Sequence, residues 1–463
     1  MSETPPKHGE RDERGHAIKL AVITSFLSKF GNIILQIVAV PIAIRVLGDA
    51  VFGVYATVAG VLAILTLTEL GLFTSTATAI SDAVARGDRR REKMVFTTGM
   101  VIVALVGIIV AVGLILLFQT VPVTTLFGAE YAPFAEEVKG AILVGTVIFI
   151  VMMLTTVTLG ARLGYQEVHK TNLFGAAGNL GGGLLLIAGI NHFPSVNFLL
   201  IAVIGSKAMA DLLNCVHLLW KRPYLLPRLK WYDRKTANVL VAEGVNFSIA
   251  QNGVYLAQRE GCKFFLAHLA GPSVVAIYAI LLQLSVFLTG LVWMILKPLI
   301  AALTDAAAKQ DLRWILGAQK KVTSYILAYC GLVFAGLLAF GQVAIGWWIG
   351  DEIIITRDTL VPYGLYFGLL TWSSLNYTLL IGVGCVRWPA RVYILEIFVL
   401  LGFAYLGAAW FGVNGMLWGM VLAIGLVSMW SFPVKLNGLL GGFSSQWKNP
   451  LEAGAEVKAG SVG

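Results

Sequence analysis

Three cations stand where lipid makes a charge costly: Lys29, Arg259 and Lys263 each fall inside long apolar runs. A charge at the bilayer centre costs about 2.5–3.5 kcal/mol even on insertion scales, so such a residue faces a bundle interior or water. Arg brings a planar fork and Lys a compact charge, and both suit phosphate oxygens. Cations of this kind with few free carboxylates near them select an anion, and a polyphosphate fits best. Their spacing carries the same message. Ser25, Lys29, Asn32 and Gln36 recur at intervals of three or four, one polar stripe along a helix. Shifted by 223 positions, the stripe returns as Ser248, Asn252, Tyr255 and Arg259, prolonged one turn by Lys263. Two equivalent helices with one wet face each predict a hydrated cleft lined by Lys29, Asn32, Gln36, Asn252, Tyr255, Arg259 and Lys263. Lys297, beside Pro298, either adds a basic group to this cleft or snorkels to the inner headgroups, and Glu69 is the acidic counterweight.

The same shift of 223 aligns Gly48 with Gly271, Val51 with Val274, Tyr55 with Tyr278 and Ala56 with Ala279. It also lays Ser81-Asp-Ala-Val-Ala-Arg-Gly-Asp88 over Thr304-Asp-Ala-Ala-Ala-Lys-Gln-Asp311 without a gap. A Gly, a Tyr and two Asp in one ungapped register indicate an internal duplication, a transporter signature.

The elements that position these residues are transmembrane helices. Of 463 residues, 58% are hydrophobic and only 13% charged, with a mean hydropathy of +0.81. Soluble domains are nearer 45–50% apolar and about 25% charged. Spans are predicted at 18–44, 51–80, 94–118, 138–160, 172–191, 197–220, 239–268, 273–303, 321–349, 361–384, 391–411 and 414–436, about twelve. Lys and Arg crowd alternate loops, so the positive-inside rule places both termini in the cytosol and accounts for the +9 net charge without nucleic acid. Six spans separate each repeat from its partner, which makes the lobes parallel. The expected division is a cytosolic tail (1–17), a first lobe (18–220), a basic linker (221–238), a second lobe (239–436) and a cytosolic tail (437–463). Within the linker Pro223 and Pro227 break regular structure, and the 304–320 loop reads as a short amphipathic surface helix.

Several charges have local explanations. Lys207 and Asp211 are one turn apart and neutralise each other. Glu260 points away from Arg259 around the helix. Glu396 is expected to meet a cytosolic-side Arg or the interface, and Arg45, at an outer helix end, to anchor a headgroup or loop. The four cysteines, in apolar runs without metal or redox spacing, read as small buried hydrophobes. The loops leave no room for a catalytic domain, and no G-x-x-x-x-G-K-[ST] is present, so neither an enzyme nor an ATPase is expected. The membrane potential suffices: moving a negative headgroup outward across an inside-negative membrane gains about 2.3 kcal/mol per charge per 100 mV.

Arg45-x-Leu-Gly-x-x-x-Phe-Gly-x-Tyr55 and Glu69-Leu-Gly-Leu72 resemble the opening hairpin of Wzx-type polysaccharide-export flippases. These belong to the MOP superfamily with MATE drug exporters and lipid II flippases. Leu269-Ala-Gly-Pro-Ser-Val-Val-Ala-Ile-Tyr278, after Arg259-Glu260, is similar to the family's seventh-to-eighth helix junction, and Trp347-Trp-Ile-Gly350 resembles its ninth-helix end. Glu69 and Glu260 stand where members often carry Asp. The resemblance implies an all-α polytopic protein with two six-helix lobes around a central cleft. It also implies transfer of an undecaprenyl-diphosphate-linked oligosaccharide repeat unit from the inner to the outer leaflet of the bacterial cytoplasmic membrane. That activity needs no cofactor beyond H+ or Na+ coupling, for which Glu69 is the candidate. Its partners would be the lipid-linked oligosaccharide, membrane lipids, and the polymerase and chain-length machinery of the same route. The rivals are a MATE-like cation exporter, for which the cleft is too basic; a lipid II flippase, which implies two more helices; a membrane enzyme of polysaccharide assembly, which needs a large outer loop; and an unselective scramblase.

Overall fold

Long apolar runs leave the backbone no partner in lipid but itself, so only helices or closed barrels span. Here the answer is helical throughout. The computed structural model describes residues 24, 31–32, 35–69, 71–242, 244, 257–350 and 353–448. No strand occurs among them. Eight helices are long and apolar enough to cross a membrane, and one of these, Arg387–Gly442, folds back at Phe411 and Gly412 to make two passes. With the apolar Leu35–Leu47, Arg357–Gly382 and the 257–270 segment, the helical passes among the described residues number twelve, six in each half of the sequence. The all-α, twelve-span expectation is met.

In chain order the first half holds α1 (Leu35–Leu47), α2 (Asp49–Leu65), α3 (Leu72–Ala85), α4 (Arg89–Thr120), α5 (Ala135–Gly164), α6 (Val168–Gly189) and α7 (Val196–Lys221). The second half holds α8 (Cys262–Ala270), α9 (Pro272–Ala308), α10 (Leu312–Ile349), α11 (Arg357–Gly382), α12 (Arg387–Leu426) and α13 (Ser428–Lys448). Described residues up to Ala279, with Trp348–Ile353, form one compact unit, and those from Ile280 onward the other.

Three sequence expectations need correction. The 51–80 span is not continuous: a 3-10 turn, Thr66–Glu69, and Gly71 in the left-handed region (φ 64) separate α2 from α3. Nor is 304–320 a separate surface helix, because α9 runs to Ala308 and α10 starts at Leu312. The turn between them is tight: Gln310 takes φ 58, and the Asp311 carboxylate accepts from the Trp314 amide at 3.0 Å as an N-cap. Finally, α13 continues to Lys448, past the expected end at 436.

The duplication is visible atom by atom. The α3–α4 turn has Gly87 at φ 67, the Asp88 amide donating to the Ala83 carbonyl at 2.9 Å, and the Asp88 carboxylate capping Arg91. Exactly 223 positions would be needed for a copy, and there Gln310 has φ 58 and the Asp311 amide donates to Ala306 at 2.9 Å. Gly48 and Gly271 have φ 80 and 81. The α5–α6 turn recurs between α11 and α12, with Gln166 (φ 59) matched by Gly384 (φ 88) and the Glu167→Arg162 backbone bond by Cys385→Leu380.

In lipid, close backbone approach replaces hydrophobic exclusion as the main packing term. The first unit shows this on α2 and at the start of α3. A Cβ on Gly53 would lie 1.8 Å from the Pro272 carbonyl oxygen, and one on Gly71 2.0 Å from that of Gly244. In the second unit the α12 hairpin closes in the same way, Gly407 against Gly415 and Gly419 against Phe403.

Candidate functional site

Between Gly53 and Gly71, Gly60 on α2 opens a space that a polar pair fills. Its absent Cβ would meet Glu260 Oε2 at 3.0 Å and Lys263 Cδ at 3.4 Å. Glu260 and Lys263 are i, i+3 neighbours, buried, with Lys263 Nζ 2.7 Å from Glu260 Oε2. The charge of Lys263 is thus met within its own helix. Just before α8, Ala257–Gly261 is a π-turn, a distortion that recurs at functional sites. The Tyr278 hydroxyl donates to the Gln258 carbonyl at 3.1 Å, supporting this turn from α9. Arg259 lies half-buried on the same turn, within electrostatic reach of Lys263.

Of the other stripe residues, Asn32 and Gln36 are half-buried and joined, Gln36 Nε2 donating to Asn32 Oδ1 at 3.2 Å. Lys29, Asn252 and Tyr255 lie outside the described residues, as do Ser25 and Ser248. Lys297 belongs to the second unit, on α9, with its side chain exposed. Glu69 ends the 3-10 turn that interrupts α2 and α3, its carboxyl beside the Thr156 hydroxyl with Lys207 the cation nearest in effect.

The local explanations fare unevenly. Lys207 pairs with Asp211 at 2.6 Å, as their spacing implies. Arg45 anchors a loop, its Nε donating to the Ile349 carbonyl at 3.3 Å. Glu260 pairs with Lys263, a partner that their i, i+3 spacing makes available. Glu396 meets neither an Arg nor the interface: it is buried beside Ser428, where α12 gives way to α13.

The largest polar constellation among the described residues escaped the sequence. It ties together the basic end of the first unit. Arg162, fully buried on α5, donates Nε to Asn214 Oδ1 at 3.0 Å, bonds His217 Nδ1 at 2.6 Å and pairs with Glu167. Glu167 also receives Arg222 at 3.1 Å and Lys170 at 2.8 Å. Burial would raise the Glu167 carboxyl, but the bonds from Arg222, Lys170 and Arg162 prevail and hold it down at about 2. Beside it, buried Glu92 accepts from the hydroxyls of Tyr165 at 2.6 Å and Tyr224 at 2.8 Å. Burial, then the bond to Glu92, raise the Tyr165 phenol well above its ordinary value. No local pattern joins residues this far apart in sequence. This network closes on itself and presents no reactive group, so its work is to fasten helix ends.

The family model for polysaccharide biosynthesis proteins matches residues 20–304. The chain belongs to that family. The match covers both polar stripes, the interrupted α2–α3 and the π-turn, and it agrees with the Wzx-type resemblance of the motifs. No curated protein matches the sequence. Solved structures share the fold. An inward-facing multidrug-resistance MATE transporter of the MOP superfamily aligns with a TM-score of 0.68 and 16% identity, covering 93% of this chain and 99% of its own. An outward-facing form aligns at 0.60 and 16%, covering 92% and 96%. A MOP superfamily transporter from Pyrococcus furiosus, described as having a binding pocket of reverse polarity that suggests a different function, aligns at 0.53 and 16%, covering 92% and 94%. The polysaccharide family member therefore has the fold of these transporters.

Proposed function

We propose that this family member is a flippase that moves an undecaprenyl-diphosphate-linked oligosaccharide repeat unit from the inner to the outer leaflet of the bacterial cytoplasmic membrane, by alternating access. The observation that carries the reading is the polysaccharide-family match across the half of the chain that holds both polar stripes. Lys29, Arg259 and Lys263 supply the diphosphate contacts, with Lys297 as a further cation, while Asn32, Gln36, Asn252 and Tyr255 meet sugar hydroxyls. The buried Glu260 tunes this set by holding Lys263. Glu69, on its interrupted helix, is the candidate carrier of a coupling H+ or Na+. Polymerase and chain-length proteins would then receive the product.

Leaflet-resolved labelling of a lipid-diphosphate-linked sugar in proteoliposomes tests the reading. The expected result is protein-dependent transfer that accelerates when the donor side is made negative. Absence of transfer by protein shown to be folded would overturn it. The MATE-like fold keeps one competitor, export of a small organic cation. The same vesicles loaded with such a cation separate the two, since the competitor predicts cation movement with the lipid-linked sugar left in place.

A further inference from the structure

The segment after α7 carries more than a connection. Residues 222–235 are strapped to the basic end of the first unit by four fastenings. Arg222 pairs with Glu167, and the Tyr224 hydroxyl donates to Glu92. Leu225 is fully buried, and the Asp233 amide donates to the Thr98 hydroxyl at 3.1 Å. With those side chains turned in, the others are turned out at every third position: Leu226, Leu229 and Tyr232, with Leu229 79% exposed. A 3-10 turn at Leu229–Trp231, where side chains three apart eclipse, suits this spacing. Arg228 and Lys230 stand between them and Arg234 and Lys235 follow Tyr232, all four exposed. The acid among them, Asp233, is occupied in capping Thr236, its carboxylate accepting from the amide at 2.8 Å. At the root of the strap Lys221 lies over the exposed ring of Trp220, a pairing typical of the membrane–water boundary.

We propose that this strap is an interfacial site for anionic phospholipid headgroups, with Leu226, Leu229 and Tyr232 entering the headgroup layer and the four cations meeting lipid phosphate. The combination of a rigid backbone, spaced apolar side chains and interleaved cations is what adsorption to an acidic bilayer requires. It fits nucleic acid less well, because Trp231 is half-buried and already engaged by Lys93 and Lys230 at 5.3 and 5.6 Å. The site is independent of the transported substrate.

The test uses the full chain in nanodiscs, where both leaflets have one composition, with a fluorophore on Leu229→Cys and the labelled parent as control for Cys215, Cys262, Cys330 and Cys385. Headgroup-spin-labelled phosphatidylglycerol is expected to quench the fluorophore several-fold more than phosphatidylcholine at equal mole fraction, and salt should erase the difference. Arg228→Gln alone should weaken the preference in part, and R228Q/K230Q/R234Q/K235Q should remove it. Equal quenching by the two lipids would overturn the proposal. So would displacement of the preference by free inorganic diphosphate at constant ionic strength, which would assign the cations to a soluble phosphate ligand, and so would a fluorophore that neither lipid reaches, which would assign the surface to a protein partner.

Discussion

The α5–α6 turn and the α11–α12 turn have one backbone and two chemistries. Both place a residue at positive φ, Gln166 and Gly384, and both close with the same pair of amide-to-carbonyl bonds. In the first, the closing residues are Arg162 and Glu167, and they gather Asn214, His217, Lys170 and Arg222 around them. In the second the equivalent positions are Leu380 and Cys385, packed in the apolar core around Phe432 and Leu436. Duplication has kept the geometry, which depends on the backbone, and released the side chains, which depend on what each end must hold. The first turn holds the strap that leads into the second half. The second has only lipid-embedded helices to join, and packing is enough.

The largest effect should come from the charged turn. Arg162→Ala leaves Glu167 short of a partner and Asn214 and His217 without their donor in a buried site, a loss of about 3–5 kcal/mol. Folded yield and melting temperature in detergent should fall sharply, whereas Cys385→Ala at the matching place should cost no more than about 1 kcal/mol. An equal response would mean that the network is ornamental.

Next in size is a pH dependence belonging to the first turn. The Glu167 carboxyl is held down at about 2 from an ordinary 4.5, so the unfolded chain binds more protons in that interval. Its contribution, roughly 3 kcal/mol, is complete above pH 4.5 and is lost as pH falls through the folded value. Melting temperature should therefore decline with acid between pH 5 and 3, and Glu167→Gln should flatten that slope. A slope unchanged in the variant would refute the assignment.

Smaller effects lie in the turns' backbones. Gln166 and Gln310 sit at positive φ where their counterparts, Gly384 and Gly87, are glycine. Gln310→Gly should relieve about 1 kcal/mol of strain, seen as a slight rise in melting temperature. Lys309→Ala should change stability by less than about 0.5 kcal/mol, because its pair with Asp305 is solvent-exposed.

Much of the fold could be read from the sequence because lipid imposes length and apolarity on every span, and because Gly48, Tyr55, Asp82 and Asp88 have counterparts at one fixed offset. What could not be read was set by one-residue geometry or by distance along the chain. A π-turn at Ala257–Gly261 and the break at Thr66–Gly71 leave the apolar run intact, so hydropathy passes over them. Arg162, Glu92 and Tyr224 are joined only after folding. For the site, residue types were legible, and the i, i+3 spacing of Glu260 and Lys263 is itself a local signal of their pairing.

The central claim is that a cation on the second polar stripe draws a lipid-linked diphosphate through the membrane. The direct measurement is the translocation rate of a lipid-diphosphate-linked sugar in proteoliposomes for the parent chain, Arg259→Lys and Arg259→Ala at matched folded protein. The account predicts at least a tenfold loss for Arg259→Ala, partial recovery in Arg259→Lys, and a rate that rises with a donor-side-negative potential. Translocation by Arg259→Ala at the parent rate, or indifference to the potential, would contradict it.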